Sequence, residues 1–215
     1  MTSPSDRDRH FKHTWRMICA DLSRRLILED RPTNLWYQLC ILSRPGAAAI
    51  LMFRLSHYFH DHGLRRLSKV INIIMLCWSG DEIHPGARIG PGLVLPDIGG
   101  VGIPAFADIG CDCTFTGPAL LTIGGIEGID LARDRIVLGD HCVIGSGVRI
   151  VGAVTLANGT QVKPNAVVIT SFLNAGTLLS GIPSRRRGTI PLEKIMRWNP
   201  ILGQSTSQTS VQSPN

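Results

Sequence analysis

Residues 138–168 read LGDHCVIGSGVRIVGAVTLANGTQVKPNAVV. Every sixth residue of this stretch is apolar: Leu138, Ile144, Ile150, Leu156, Val162 and Val168. A helix would need apolar spacings of three and four, and an ordinary strand a spacing of two. Six residues make one short strand plus a corner, so three such units close a triangular coil whose stacked turns pair about 4.8 Å apart. The stretch therefore predicts a parallel β-helix.

The same period of six occurs earlier in the chain, at Ile83, Ile89, Leu95 and Val101. Glycine or asparagine stands at corner positions such as Gly147 and Asn165, because a sharp corner requires a left-handed backbone that other residues rarely adopt. Each inward apolar side chain contributes about 1.5–3 kcal/mol when buried, and the contributions of stacked coils add. We predict a left-handed parallel β-helix over residues 81–188.

The period fails between Ala105 and Val137, and the segment from Gly125 to Arg135 keeps none of it. A stretch of this kind inside a regular solenoid predicts a loop that leaves one coil. Loops on rigid scaffolds often carry function.

Helical periodicity marks the preceding part of the chain, so residues 1–80 are predicted to form an α-helical N-terminal domain and the fold class is α+β. The expected helices are Arg9–Leu28, Leu35–Leu42, Ala47–His60 and Leu64–Trp78, with Pro45-Gly46 ending the second. The apolar face of the last two predicts that they pack on each other or on a partner subunit. Residues 189–215 are expected to be an extension with a disordered tail from about residue 203.

Composition limits the function classes. The longest apolar run, Val70 to Trp78, is far shorter than the ~18–20 residues that span a bilayer, and the polar N-terminus lacks the apolar region of a secretory signal. The six cysteines contain no CxxC pair, so we expect reduced packing cysteines, no metal and a cytoplasmic location. The net charge of +6 and 6% aromatic content do not favour nucleic acid, since no recognition motif accompanies them.

Three basic residues of the last helix, Arg65, Arg66 and Lys69, leave two interpretations open. They form a solvated basic face, or they make a peripheral contact with a membrane surface.

A resemblance to a known family covers residues 45–188. Pro45-Gly46, Arg54-Leu55-Ser56-His57 and residues 83–90, IHPGARIG, resemble the entry of the serine O-acetyltransferase family into its β-helix. Residues 181–185, GIPSR, are similar to its closing Gly-Val-Pro-Ala-Arg. The short helical part is more similar to the related acetyltransferases of capsule and exopolysaccharide gene clusters. The resemblance implies acetyl-CoA as co-substrate and a homotrimer, with a dimer of trimers as a further assembly.

The family mechanism uses a corner histidine that takes a proton from the acceptor hydroxyl, which then attacks the acetyl-CoA thioester. This chain has Leu95-Pro96-Asp97 at that corner, and no histidine in Ala132-Arg133-Asp134-Arg135, where the second family histidine is expected. Asp97 is therefore a candidate base if burial, or Asp134 across the subunit interface, raises its pKa. The other interpretations are an amine-binding residue or an ordinary corner residue.

The remaining site predictions follow from the resemblance. Arg133, together with Arg135, is expected to hold a substrate carboxylate, or to be a solvated loop residue. The coenzyme A groove between adjacent prisms would involve Gly124, Gly125, Gly145, Ser146, Gly147 and Lys163, and Arg185 and Arg186 would meet the phosphates or only aid solubility. We expect His84 to be structural and His141 to be a solvated corner residue.

The sequence thus favours transfer of an acetyl group from acetyl-CoA to a hydroxyl or amine of a small molecule or sugar. The alternative is a catalytically inactive homologue that binds a ligand or partner. A third interpretation is a membrane-surface enzyme acting on lipid-linked sugars.

Overall fold

The computed structural model describes residues 4–123 and 134–191, with side chains from His10 onward. Gly124, Gly125 and Arg133 of the predicted site lie outside the described residues, as do most of the predicted 125–135 loop and the predicted tail.

Four helices precede the strands, as predicted. They are α1 (Pro4–Leu28), α2 (Leu35–Ile41), α3 (Pro45–Asp61) and α4 (Arg65–Ser79). The prediction that Pro45-Gly46 ends the second helix was wrong. Pro45 occupies the first turn of α3, where its missing N–H costs no hydrogen bond. The Asn34 side chain caps α2 by accepting a hydrogen bond from the Tyr37 amide at 3.1 Å.

The strands that follow are short and regularly spaced. They are β1 (Glu82–Ile83), β2 (Arg88–Ile89), β3 (Val101–Ile103), β4 (Ala107–Ile109), β5 (Thr114–Phe115), β6 (Ala119–Thr122), β7 (Ile136–Leu138), β8 (Val143–Ile144), β9 (Val148–Val151), β10 (Thr155–Leu156), β11 (Gln161–Val162), β12 (Val167–Val168), β13 (Thr177–Ser180) and β14 (Arg185–Thr189).

These strands form three parallel sheets around a triangular prism, which confirms the predicted left-handed β-helix. Sheet 1 has the order β1-β3-β6-β9-β12, sheet 2 the order β2-β4-β7-β10, and sheet 3 the order β5-β8-β11-β13-β14. Only the β13–β14 pair is antiparallel among the described strand pairs. It ends sheet 3 with a strand that turns back.

The residues of the six-residue period point into the prism. Each of Ile83, Ile89, Leu95, Val101, Leu138, Ile144, Ile150, Leu156, Val162 and Val168 is at most 5% exposed. The same core continues into the helices through Ala49, Phe53 and Met75. The helical part therefore rests directly on the first coil.

Two edges of the prism matter for the site. At the edge between sheets 2 and 3, successive coils place left-handed residues above one another: Gly92, Asp112, His141 and Gly159, with φ between 56° and 82°. We name this column the His141 edge. The edge between sheets 3 and 1 consists of residues 95–100, 116–118, 145–147 and 163–165, and we name it the Asp97 edge.

A buried ion pair fastens the helices to the first coil. Arg54 of α3 donates to both carboxylate oxygens of Asp21 of α1, at 2.8 and 3.2 Å. Asp21 also accepts from the amides of Gly92 and Leu93 at 2.7 and 2.8 Å. Burial raises the pKa of the Asp21 carboxyl above its ordinary value, while Arg54 and the two amides oppose that shift. The four hydrogen bonds compensate a charge that is costly to bury.

Across the described residues, no single helix has the length and apolar content to cross a membrane. α2 and α3 meet the criterion only as a pair, and that pair is bent by 96°.

Candidate active site

The Asp97 edge brings several of the predicted site residues together. Asp97 lies on it in the first coil, Gly145, Ser146 and Gly147 two coils further, and Lys163 in the next coil. Backbone bonds stack these corners, because the Gly147 amide donates to the Pro118 carbonyl at 2.6 Å and the Asn165 amide to the Ser146 carbonyl at 2.9 Å. The predicted catalytic corner and the predicted cofactor residues thus follow one line along the prism.

The predicted phosphate-binding residues lie toward the C-terminal end of the prism. Arg185 and Arg186 begin β14 and are exposed. Arg186 donates to the Thr189 hydroxyl at 2.5 Å, and Lys163 is also exposed. These cations are accessible to an anionic ligand.

The other predicted residues have different surroundings. Asp97 is exposed, so the burial that would favour a proton-accepting carboxylate is not present within one protomer. Asp134 is half-buried just before β7. Arg135 makes a two-point ion pair with Asp108 of the preceding coil, with Nη2 2.8 Å from Oδ1 and Nε bonded to Oδ2. Arg135 would have to leave Asp108 to hold a substrate carboxylate.

Helix α1 and the start of α3 dock against the corner. Arg25 donates to the Leu95 carbonyl at 2.9 Å, and Arg24 donates to the Cys113 carbonyl and the Thr114 hydroxyl at 2.9 and 3.0 Å. Gly46 approaches so closely that a Cβ there would lie 1.9 Å from the Leu95 oxygen. Only glycine permits this contact.

A cavity of about 380 Å³ lies between the last turns of α1 and sheet 3, next to this corner. We name it the corner cavity. Its walls are Arg24, Arg25 and Leu28 of α1 and Glu29 directly after that helix, together with Val94, Pro96, Thr114, Thr116, His141, Val143 and Gln161 of the prism. Hydroxyl, amide, imidazole, guanidinium and carboxylate groups line a space whose other walls are apolar, which is the usual composition of a small-molecule site.

His141 is the functional candidate that the sequence reasoning missed. It was expected to be a solvated corner residue, but it forms part of the cavity wall, with Nδ1 3.6 Å from Oδ2 of Asp112. Residues 110–113, GCDC, and 139–142, GDHC, occupy the same corner in successive coils. Aligning these two segments in the sequence would have placed the imidazole of His141 next to the carboxylate of Asp112.

A second cavity, of about 880 Å³, lies between α1, α3 and sheet 2. His10 and His13 of α1, His57 of α3, His62 directly after α3, and Val137 of β7 are among its walls. It is larger than the corner cavity, but it opens on the other side of the His141 edge and none of its described lining residues belongs to the Asp97 edge.

The structure also bears on the predictions made for His84 and for the cysteines. The His84 Nδ1 accepts a hydrogen bond from the Gly86 amide at 2.9 Å, which is the structural role expected of it. All six cysteines lie in the described part of the chain, and each is a free thiol. The prediction that they pack in the interior was wrong for Cys40 and Cys77, which are exposed, whereas Cys113 and Cys142 are buried. A hydrogen bond with Cys142 and burial raise the pKa of the Cys113 thiol well above its ordinary value, so this thiol is inert. No three His, Cys, Asp or Glu side chains converge as metal ligands in the described ranges.

Known proteins similar to this chain are serine acetyltransferases. No model of a known protein family matches the chain. The chain is 32% identical over 164 residues to a serine acetyltransferase of Helicobacter pylori, and the match covers 75% of this chain and 92% of that relative.

Solved structures show the same architecture. Soybean serine acetyltransferase in complex with serine is 25% identical, with a TM-score of 0.69, over 80% of this chain and 69% of the soybean chain. Serine acetyltransferase of Brucella abortus in complex with coenzyme A is 20% identical, with a TM-score of 0.69, over 85% of this chain and 72% of that one.

Proposed function

The chain belongs to the serine acetyltransferase family, and from that membership we propose that it transfers an acetyl group from acetyl-CoA to the hydroxyl of a small molecule bound in the corner cavity. The observation that carries the proposal is this cavity, since it adjoins Pro96 of the predicted catalytic corner and contains a histidine paired with a carboxylate.

The proton of the acceptor hydroxyl passes to His141 in this proposal. An imidazole is the usual general base for a hydroxyl near neutral pH, and the Asp112 carboxylate of the neighbouring coil, which also lies near Arg24, is 3.6 Å from the ring and would stabilise its protonated form. As the hydroxyl loses its proton, its oxygen bonds to the acetyl carbon and coenzyme A leaves as the thiol. Asp97 and Asp134 are the competing candidates for the base.

The co-substrate follows the Asp97 edge. Gly145, Ser146 and Gly147 present backbone and small side chains there, which lets a pantetheine chain approach closely. Lys163 and Arg185 are exposed further along and supply charge for the phosphates. This part of the proposal rests on the relative of known structure that binds coenzyme A.

We propose that the prism works as a homotrimer, with the coenzyme A groove between adjacent copies. Apolar side chains left on the prism surface support a subunit contact, namely Leu120, Ile169, Leu173 and Ile182. The six unpaired cysteines favour the cytoplasm as the compartment.

Serine and sugars are the acceptors to compare. The soybean relative binds serine, and serine carries a carboxylate for which Arg25 at the cavity wall is the candidate partner, beside its 2.7 Å pair with Glu29. A sugar hydroxyl would find the Thr116 hydroxyl and the Gln161 amide in the same cavity. Both kinds of acceptor therefore have polar partners there, and the assay compares them.

The test is release of the coenzyme A thiol by purified protein with acetyl-CoA, in parallel with serine and with a panel of nucleotide sugars. We expect acceptor-dependent release, with the acetylated product seen by mass spectrometry. Calorimetric binding of acetyl-CoA without release for any acceptor would favour the inactive homologue. No binding in the millimolar range would contradict the transferase.

A further inference from the structure

Helix α4 carries its apolar side chains on the outside of the molecule. Val70, Ile73, Ile74 and Trp78 are between 49% and 58% exposed. Leu67 and Leu76 extend the same exposed surface. Large contiguous apolar surfaces on soluble proteins usually mark a contact with another molecule.

The inner side of the same helix is largely polar. Ser68 and Ser79 are buried, and the Ser56 hydroxyl of α3 donates to the Ser68 carbonyl at 2.9 Å. Ser68, Met75 and Ser79 are thus the buried residues of this helix, and Ile71 and Asn72 beside them are half-buried. The apolar face of α4 was predicted to pack on α3 or on a partner subunit, and in the structure that face is turned away from α3.

Cations accompany the apolar surface. Arg65, Arg66 and Lys69 are exposed in the first turn and a half of α4, and the helix contains no acidic residue. Positive charges at a helix N-terminus oppose the helix dipole, so their placement weakens the helix locally. Residues that lower the stability of their own helix in this way are expected where they serve a function.

A cationic cavity of about 430 Å³ lies beside this surface. Arg65 and Lys69 line it together with His60 and His84, and none of its described lining residues is acidic. The cavity can accept an anionic group next to the apolar stripe. One ligand with both properties is an anionic lipid.

We propose that α4 docks on the surface of an anionic lipid bilayer, with its apolar side chains in the acyl region and Arg65, Arg66 and Lys69 on the phosphates. Basic residues, a one-sided apolar stripe and an interfacial tryptophan are the features of helices that lie in a membrane surface. Charge favours this occupant over a second copy of α4, because α4 has no acidic residue to pair with Arg65, Arg66 and Lys69 whereas lipid phosphates supply that counter-charge.

Vesicle co-sedimentation of the full-length chain tests the proposal. We expect binding to vesicles of phosphatidylcholine with phosphatidylglycerol, weaker binding to phosphatidylcholine alone, and loss of the difference at high salt. Equal sedimentation with both vesicle types, or none with either, overturns the proposal.

Matched variants locate the contact. Ile73→Ser with Ile74→Ser should weaken vesicle binding by roughly tenfold or more, whereas Leu39→Ser, at a position 56% exposed on α2, should not. Replacing Arg65, Arg66 and Lys69 by serine should abolish the preference for anionic lipid. Replacing Arg185, Arg186 and Arg187 removes the same charge elsewhere and should preserve it.

The opposite pattern among these variants overturns the assignment to α4. A change in the mass of the assembly by light scattering in the Ile73→Ser, Ile74→Ser variant, without vesicle binding by the unaltered chain, would show instead that the face joins two copies. Circular dichroism of each variant checks that the helices remain.

Discussion

The Nδ1 atom of His141 lies 3.6 Å from the Oδ2 atom of Asp112, one coil away on the same edge of the prism. Both residues have a left-handed backbone, with φ of 58° and 56°. The corner geometry therefore holds an imidazole against a carboxylate in the wall of a cavity next to the predicted catalytic corner.

If His141 takes the proton, His141→Asn should lower kcat/KM by roughly 10²–10⁴-fold. Asparagine tolerates the left-handed backbone, as Asn165 does at φ 58°, so the thermal unfolding temperature should hardly change. Asp97→Asn is the matched variant, and it should leave the rate nearly unaltered. A large loss in Asp97→Asn with an active His141→Asn would assign the base to Asp97.

Removing one partner of the buried Asp21–Arg54 pair should destabilise the fold strongly. Asp21→Asn leaves the Arg54 guanidinium buried without its counter-charge, and we expect the free energy of unfolding in urea to fall by about 3–5 kcal/mol. Glu29→Gln, which breaks the more exposed pair with Arg25, should cost at most about 1 kcal/mol. Equal losses in the two variants would contradict the fastening role of Asp21.

His84 should make stability depend on pH. Burial, His60 and Lys69 lower the pKa of His84 below 6.5, while Glu82 opposes them. As the pH falls, the unfolded chain takes up a proton at His84 near pH 6.5, before the folded chain does. The stability that neutral His84 contributes is therefore present above pH 6.5 and is lost as the pH falls toward the lower pKa of the folded state. Protonation of the His84 ring also removes the acceptor of its hydrogen bond from the Gly86 amide.

Urea unfolding at about pH 7.5 and about pH 5.5 measures this dependence. His84→Asn keeps an acceptor two residues before Gly86, as in an Asx turn, and should reduce the pH dependence at little cost. His84→Ala should lose both the acceptor and the dependence. An unaltered pH dependence in His84→Asn would rule out His84 as its source.

The close approach of Gly46 to Leu95 predicts a steric effect. In Gly46→Ala the new Cβ would clash with the Leu95 oxygen, so α3 must shift and the unfolding free energy should fall by about 1–3 kcal/mol. Gly188→Ala is the control, because a Cβ there meets nothing within 4 Å. Similar stability of the two variants, measured in urea, would show that the contact is not tight.

The six-residue period predicts the β-helix because few other structures place an inward-facing apolar residue at every sixth position. Each inward position of that period is buried, and the helical periodicity located four helices whose bounds differ from the prediction by a few residues, apart from the longer start of α1. A pattern that specifies both the spacing and the inward face determines the coil almost completely.

Two features depend on tertiary contacts that periodicity does not encode. An apolar stripe on α4 does not tell which side faces the core, and here Ser68 rather than Ile74 packs inward. His141 and Asp112 meet because they occupy the same corner of neighbouring coils. They are 29 residues apart in the sequence, whereas the six-residue period would place such a pair 18 residues apart. The predicted base Asp97 was placed at a corner correctly, but its exposure follows only from the assembled edge.

Filling the corner cavity tests most directly whether it receives the acceptor. Val143 of β8 faces the cavity from sheet 3, and Val137 of β7 faces the larger cavity from sheet 2. We expect Val143→Phe to lower acetyl transfer by roughly tenfold or more through a loss of acceptor binding, with calorimetric binding of acetyl-CoA unchanged and Val137→Phe fully active. Full transfer by Val143→Phe, or a loss confined to Val137→Phe, would contradict this assignment.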